Sequence, residues 1–223
     1  MKDGFIKVAA GTPDVQVADC EFNASEIIKM VHEMEAEGAK VMVFPELCIT
    51  AYTCGDLFWQ ENLLEEAKKQ LFRIAEETKE VEALIFVGLP LEYKGKLYNV
   101  AAGLNHGEVL GFVPKIHIPN YNEFYEARYF TSGENVDGTV TVRTEDYGFC
   151  HMDEFDDNDD VEFDLETEIE ALEEEEFEEL EEVEEDPDYI DEDEEELMEQ
   201  DIPISSNILF TCPDMPKLRI AAE

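Results

Sequence analysis

The run FPELCITAY, Phe44 to Tyr52, places one carboxylate, Glu46, just past a short apolar segment that reads as a strand, Val41 to Phe44. Sixty-nine residues on, GFVPKIH places one amine, Lys115, after a second apolar segment. Hydrolysis of a carboxamide by a thiol needs three things: a base to make the thiolate, positive charge or hydrogen-bond donors to hold the oxyanion, and an acid to protonate the departing ammonia. A glutamate at a strand end can serve as base and then as acid, and a nearby lysine can hold the oxyanion and steady the base. Taken singly, Glu46 is an ordinary loop carboxylate and Lys115 a surface lysine after Pro114, since isolated titratable residues carry little weight. The sulfur is harder to place. The five cysteines stand at positions 20, 48, 54, 150 and 212. Cys48 and Cys54 are too close in sequence to Glu46 to take the nucleophile's place, and Cys212 precedes the last apolar run instead of following it. All three read most simply as small apolar residues.

The elements that must position these groups follow from periodicity. Phe5 to Ala10 reads as a buried strand ending at Gly11. Asn23 to Glu37 has helical spacing, with Ile27, Val31 and Met34 on one face, and Gly38 is its stop. Val41 to Phe44 is the second strand. Asn62 to Lys79 is a second amphipathic helix, presenting Leu64, Leu71, Ile74 and Ala75 to a core. Ala83 to Leu89 is a third strand, and Leu97 to Leu104 with Glu108 to Val113 form a hairpin about Asn105-His106-Gly107. Strand–helix–strand–helix–strand followed by a hairpin predicts an α/β domain. The pattern fails after Val142 and returns as short strands at Asn207 to Cys212 and Leu218 to Ala222. No GxGxxG or Walker loop occurs, so the chain offers no nucleotide cradle of its own.

Charge is concentrated in one block. The 223 residues hold 58 acidic and 15 basic side chains, a formal charge of -43. From Thr144 to Asp201, 33 of 58 residues are Asp or Glu and none is Lys or Arg. Such a block would repel nucleic-acid phosphate, so nucleic acid is not an expected partner. Low hydrophobicity with dense like charge favours a solvated, disordered segment, although Leu165, Ile169, Leu172, Leu180 and Val183 could mark one face of an acidic helix. Phe155 to Asp164 has the acids of a calcium loop but not its glycine. No uninterrupted apolar stretch is long enough to span a membrane. An odd cysteine count, without metal spacing or a secretory leader, fits reduced thiols and a cytoplasmic setting.

Longer motifs join these pieces. FPELCITAY resembles the FPE-L-x-x-T/S-G-Y signature of the nitrilase superfamily. Its extension TAYTCGDLFWQ resembles the form found in the glutaminase domain of glutamine-dependent NAD synthetases. PKIHIPNYNEFYEARYFTSGE resembles the lysine segment of that family, and CPDMPKLRIAAE the strand leading to its nucleophile. The resemblance covers about 1–142 and 202–223. It implies a nitrilase-like α-β-β-α sandwich, incomplete, with an acidic insertion: a first part over 1–142, the insertion over 143–201 and a continuation over 202–223.

The resemblance also implies roles: Glu46 as general base, Lys115 as oxyanion stabiliser, Glu126 as the glutamate orienting lysine and substrate, and Tyr52 and Tyr121 as lining of a glutamine pocket. For the last three, ordinary packing is the alternative. Ammonia from glutamine would pass through a channel to an ATP- and magnesium-dependent synthetase domain that amidates deamido-NAD, in an enzyme that assembles as a homo-oligomer. No cofactor is implied for this stretch itself, nor any metal.

Two departures stand out. The nucleophile would fall just past Glu223, so the resemblance implies a chain cut before its thiol and inactive alone. Ala51 stands where the family has glycine, and a required positive φ there would strain the backbone. Alternatives are a non-catalytic acidic module that engages basic partners, whose binding would be sensitive to salt, and another nitrilase-type amidase, against which YTCGDLF and NEFYEARYF argue.

Overall fold

A computed structural model of the chain describes residues 5–143, 199–212 and 215–222. The acidic helix, the disordered segment and the calcium loop considered above lie outside the described residues. Strand β1 (Val8–Ala10) leads into helix α1 (Cys20–Ala36) and strand β2 (Val41–Val43). A 3-10 turn (Gly55–Trp59) and helix α2 (Glu61–Glu77) follow. Strands β3 (Leu84–Tyr93), β4 (Lys96–Asn105) and β5 (Glu108–Pro114) form a meander. After a second 3-10 turn (Glu126–Arg128) come β6 (Asp137–Arg143), β7 (Glu199–Ser205), β8 (Ile208–Cys212) and β9 (Met215–Ala222). Seven strands make one sheet in the order β1-β2-β3-β4-β5-β7-β6, and β8 and β9 pair separately.

The first helix starts earlier than its apolar spacing suggests, because the Asp19 carboxylate caps it by accepting from the Phe22 amide at 3.0 Å. It stops as expected at Gly38, whose φ is +80°. The hairpin about His106-Gly107 is also as expected, with φ of 48° and 81° at the two central residues, the pattern of a type I′ turn. A second turn of the same kind, Lys94-Gly95 at φ 50° and 71°, joins β3 to β4 and carries β3 well past Leu89. Pro90 is tolerated inside β3 because β2 pairs only with Leu84 to Phe86, so no strand needs an amide from position 90 on that side. The expected buried strand at Phe5 to Ala10 is corrected. Only Val8–Ala10 is strand, it is outermost in the sheet, and Phe5 and Val8 are exposed. An apolar run alone does not distinguish an edge strand from a central one.

Alternation across the sheet sorts the core into two layers. Ile85, Val87, Leu89 and Leu91 of β3 face α1 and α2, meeting Ile27, Val31, Leu71 and Ile74. Leu84 and Phe86 face the other way, with Val41, Val113 and Phe210 of β8. Phe86 and Phe210 stack edge to face with centroids 5.1 Å apart. Gly103 makes this possible, since a Cβ there would stand inside the Phe210 ring. The described residues thus supply a helical layer, a central sheet and the start of a second β layer. Strand β7, beyond the acidic block, returns to lie parallel to β5 and antiparallel to β6.

Candidate active site

Glu46 rides on a loop that three neighbours seat on the sheet. The Ile49 amide donates to the Gly88 carbonyl at 3.2 Å, and the Ala18 amide donates to the Thr50 carbonyl at 2.8 Å. Asn23 of α1, fully buried, donates to the Ile49 carbonyl at 2.9 Å. The loop backbone approaches β3 so closely that a Cβ on Gly88 would overlap the Leu47 amide and the Pro45 carbonyl. Leu47 and Ala51 take positive φ, 52° and 67°. Strain expected at Ala51 is therefore present, and Leu47 adds a second strained residue directly after Glu46.

Lys115 follows β5 and is fixed at both backbone ends. Its amide donates to the Asn99 carbonyl at 2.8 Å and its carbonyl accepts from the Gly133 amide at 2.9 Å. The amine lies 2.8 Å from Glu46 Oε1, and 3.1 and 2.9 Å from Glu126 Oε1 and Oε2. Glu126, in the second 3-10 turn, is nearly inaccessible, with 6% of its side chain exposed. A carboxylate that far from water needs compensation. It has it in Lys115 and in the Tyr52 hydroxyl, which donates to Oε1 at 2.8 Å. Burial opposes the charge on Lys115, but hydrogen bonds and attraction from Glu46 and Glu126 outweigh it and raise its pKa above the usual lysine value. The Tyr52 hydroxyl is also pushed up, by burial and then by its bond to Glu126.

Four of the five site residues expected from sequence thus come together: Glu46, Lys115, Glu126 and Tyr52. Tyr121 does not join this network. It is 63% exposed and packs edge to face on Phe124. Asn99 of β4 went unnoticed in the sequence reading. It is buried, and its side-chain amide donates to Glu46 Oε1. One signal pointed to it: a lone amide within the apolar strand LYNVAAGL. Lys115 and Asn99 both contact Oε1, so Oε2 of Glu46 accepts no hydrogen bond within the described residues, and the Glu46 side chain is 40% exposed. The arrangement offers a fixed cation beside a carboxylate with a free oxygen.

The described thiols stand apart. Cys48 donates to and accepts from Gly88 beneath the loop, and burial pushes its pKa up to about 12. Cys20 is likewise raised to about 12, by burial first and then by nearby negative charge. Burial also raises Cys54. All three are buried and held as neutral thiols. No group of three or more His, Cys, Asp or Glu among the described residues could hold a metal ion. No described helix is long and apolar enough to cross a membrane. A cavity of about 400 Å³ lies between β1 and α1, lined by Ala9, Met30, Met34 and Ala39 among others, and shares no residue with the Glu46–Lys115 pair.

The carbon-nitrogen hydrolase family model matches residues 7–149. A glutamine-dependent NAD(+) synthetase of Mycobacterium tuberculosis is 34% identical over 146 residues, 66% of this chain and 22% of the relative. The chain therefore spans little more than a fifth of that relative's length. A glutamine-dependent NAD(+) synthetase structure from Cytophaga hutchinsonii superposes with a TM-score of 0.64 at 22% identity, over 95% of this chain and 26% of the other. An amidase of the nitrilase superfamily from Nesterenkonia, solved as a cysteine-to-alanine mutant, gives 0.50 at 21% identity, over 60% and 51%. At these identities the two structures speak to fold alone, and the fold is nitrilase-like.

Proposed function

Because the chain belongs to the carbon-nitrogen hydrolase family, we propose that it carries the glutaminase part of an NAD synthetase, releasing ammonia from the side-chain amide of glutamine. The observation that carries this reading is the amine of Lys115 held between Glu46 and Glu126 at 2.8 and 2.9 Å. A thiol donates its proton to the free oxygen of Glu46 as the sulfur attacks the amide carbon. The carbonyl oxygen becomes an oxyanion beside Lys115, whose raised pKa keeps it a cation and unsuits it as a base. Glu46 then protonates the amide nitrogen, the C–N bond breaks, and ammonia leaves a thioester. Water, deprotonated by Glu46, cleaves the thioester and restores the thiol. Glu126 holds the lysine, Tyr52 holds Glu126, and Tyr121 forms an outer part of the glutamine pocket.

Cys20, Cys48 and Cys54 are unfit as the nucleophile, being buried and protonated. The attacking sulfur comes from outside this set. The ammonia passes through a channel to an ATP- and magnesium-dependent synthetase part that amidates deamido-NAD, within a cytoplasmic homo-oligomer. The relatives' names and the motif run from Tyr52 to Glu126 support this substrate over that of other amidases.

Ammonia release from glutamine by the natural protein that carries this chain is the test. Glu46→Gln and Lys115→Met should each lower kcat by about 10²-fold or more, the range for losing a general base or an oxyanion partner. Turnover near the unmodified level in either variant would defeat the assignment.

A further inference from the structure

We propose that Asn99 is the positioning residue that sets Glu46 and Lys115 in register. The inference rests on the glutaminase reading for its kinetic consequence, but its geometry stands without it. Asn99 touches both members of the pair by different atoms. Its side-chain amide donates to Glu46 Oε1, and its main-chain carbonyl accepts from the Lys115 amide at 2.8 Å. The residue is buried in β4, opposite Pro90 of β3. An amide that far from water must find partners, and the partner here is the carboxylate proposed as base.

The contact has a directional effect. The Asn99 N–H donor takes up Oε1 of Glu46. It also fixes which oxygen faces Lys115 and which stays free. The other groups around Glu46 are the Lys115 ammonium, and the Glu126 carboxylate and Tyr52 hydroxyl behind that amine. Removing the Asn99 donor leaves Lys115 as the remaining contact on Oε1 among the described residues. The carboxylate is then free to turn away from the reacting atoms, which should lower kcat more than it changes KM.

Asn99→Leu keeps the side chain's size and removes the donor, and Asn99→Asp keeps its shape and replaces the donor with a like charge. In the natural protein, Asn99→Leu should lower kcat/KM about 10- to 100-fold, the range for one charge-assisted hydrogen bond. The loss should fall on kcat with KM little changed, and Asn99→Asp, which sets a like charge against Glu46, should lose more. A structural role alone would lower the amount of folded enzyme and leave kcat per folded molecule in place, which would overturn the proposal.

One measurement needs no change at Asn99. In the chain labelled with 15N, the Asn99 side-chain amide signal should move as acid is added, and that movement should vanish in Glu46→Gln. A signal indifferent to Glu46 would equally overturn the proposal. Absence of ammonia release from glutamine, with the amide still titrating, would sink the glutaminase reading and leave Asn99 as the positioner of Glu46.

Discussion

Lys115 stands between two carboxylates, and its charge is what lets both occupy so small a space. Glu126 is the more dependent of the two, with 6% of its side chain exposed against 40% for Glu46. Lys115→Met would strand a buried carboxylate, so it should cost about 2–3 kcal/mol in urea denaturation, toward the low side for a buried pair because the amine is partly solvated. Pairing Lys115→Met with Glu126→Gln should recover part of that loss, and strictly additive losses would show that the pair is not coupled. Alkaline stability follows from the thiols. Below their ordinary value of 9.0, Cys20 and Cys48 are neutral in both folded and unfolded chains. Between 9.0 and about 12 only the unfolded thiols ionise, so stability should fall as pH rises through that window. Lys115, also raised, adds to the fall only above 10.5. Denaturation from pH 8 to 11 should show a flatter decline in Cys48→Ala than in the parent, though from a lower start because a small cavity opens. An unchanged slope would mean that Cys48 ionises freely in the fold.

At the scale of elements, the loop from Phe44 to Tyr52 is held by contacts that leave no room for a side chain at Gly88 of β3. Gly88→Ala should force the loop away, cost about 1–3 kcal/mol as overpacking does, and remove ammonia release by displacing Glu46. Ala51→Gly works the other way. At φ +67° an alanine is strained, and glycine relieves it, so a gain of about 0.5–1 kcal/mol is expected in thermal or urea unfolding. A loss at Ala51→Gly would mean that the methyl's packing outweighs the backbone strain. Helices and hairpins were largely legible beforehand, because 3.6-residue spacing and turns such as Asn105-His106-Gly107 are local signals. The hairpin at Lys94-Gly95 was not, since Pro90 and Glu92 interrupt the apolar run and look like a strand's end. Strands β6 and β7 were missed for a related reason. They pair with each other across the acidic block, and no short window of sequence contains that partnership.

For the molecule as a whole, charge is the dominant feature: -43, with most of the excess between Thr144 and Asp201. Like charges at this density repel, and salt screens them over about 8–10 Å. Raising NaCl from about 20 to 300 mM should therefore lift the thermal midpoint by a few degrees. A fall would show that the exposed ion pairs, such as Lys7–Glu37 and Lys40–Glu82, outweigh the repulsion. By itself the sequence determined the types of the chemical groups, their order along the chain, the helices and turns between them, and the mildly acidic body with its polyanionic block. Each of these is written in neighbours no more than a few positions apart. Tertiary structure alone decided that Glu46 and Lys115 touch, that Glu126 is buried behind them, that Tyr121 stays outside, that Asn99 grips both ends of the pair, and that three thiols are shut away from it. Those outcomes depend on which strands meet and which faces are covered, and such distances are fixed only when the sheet closes its register.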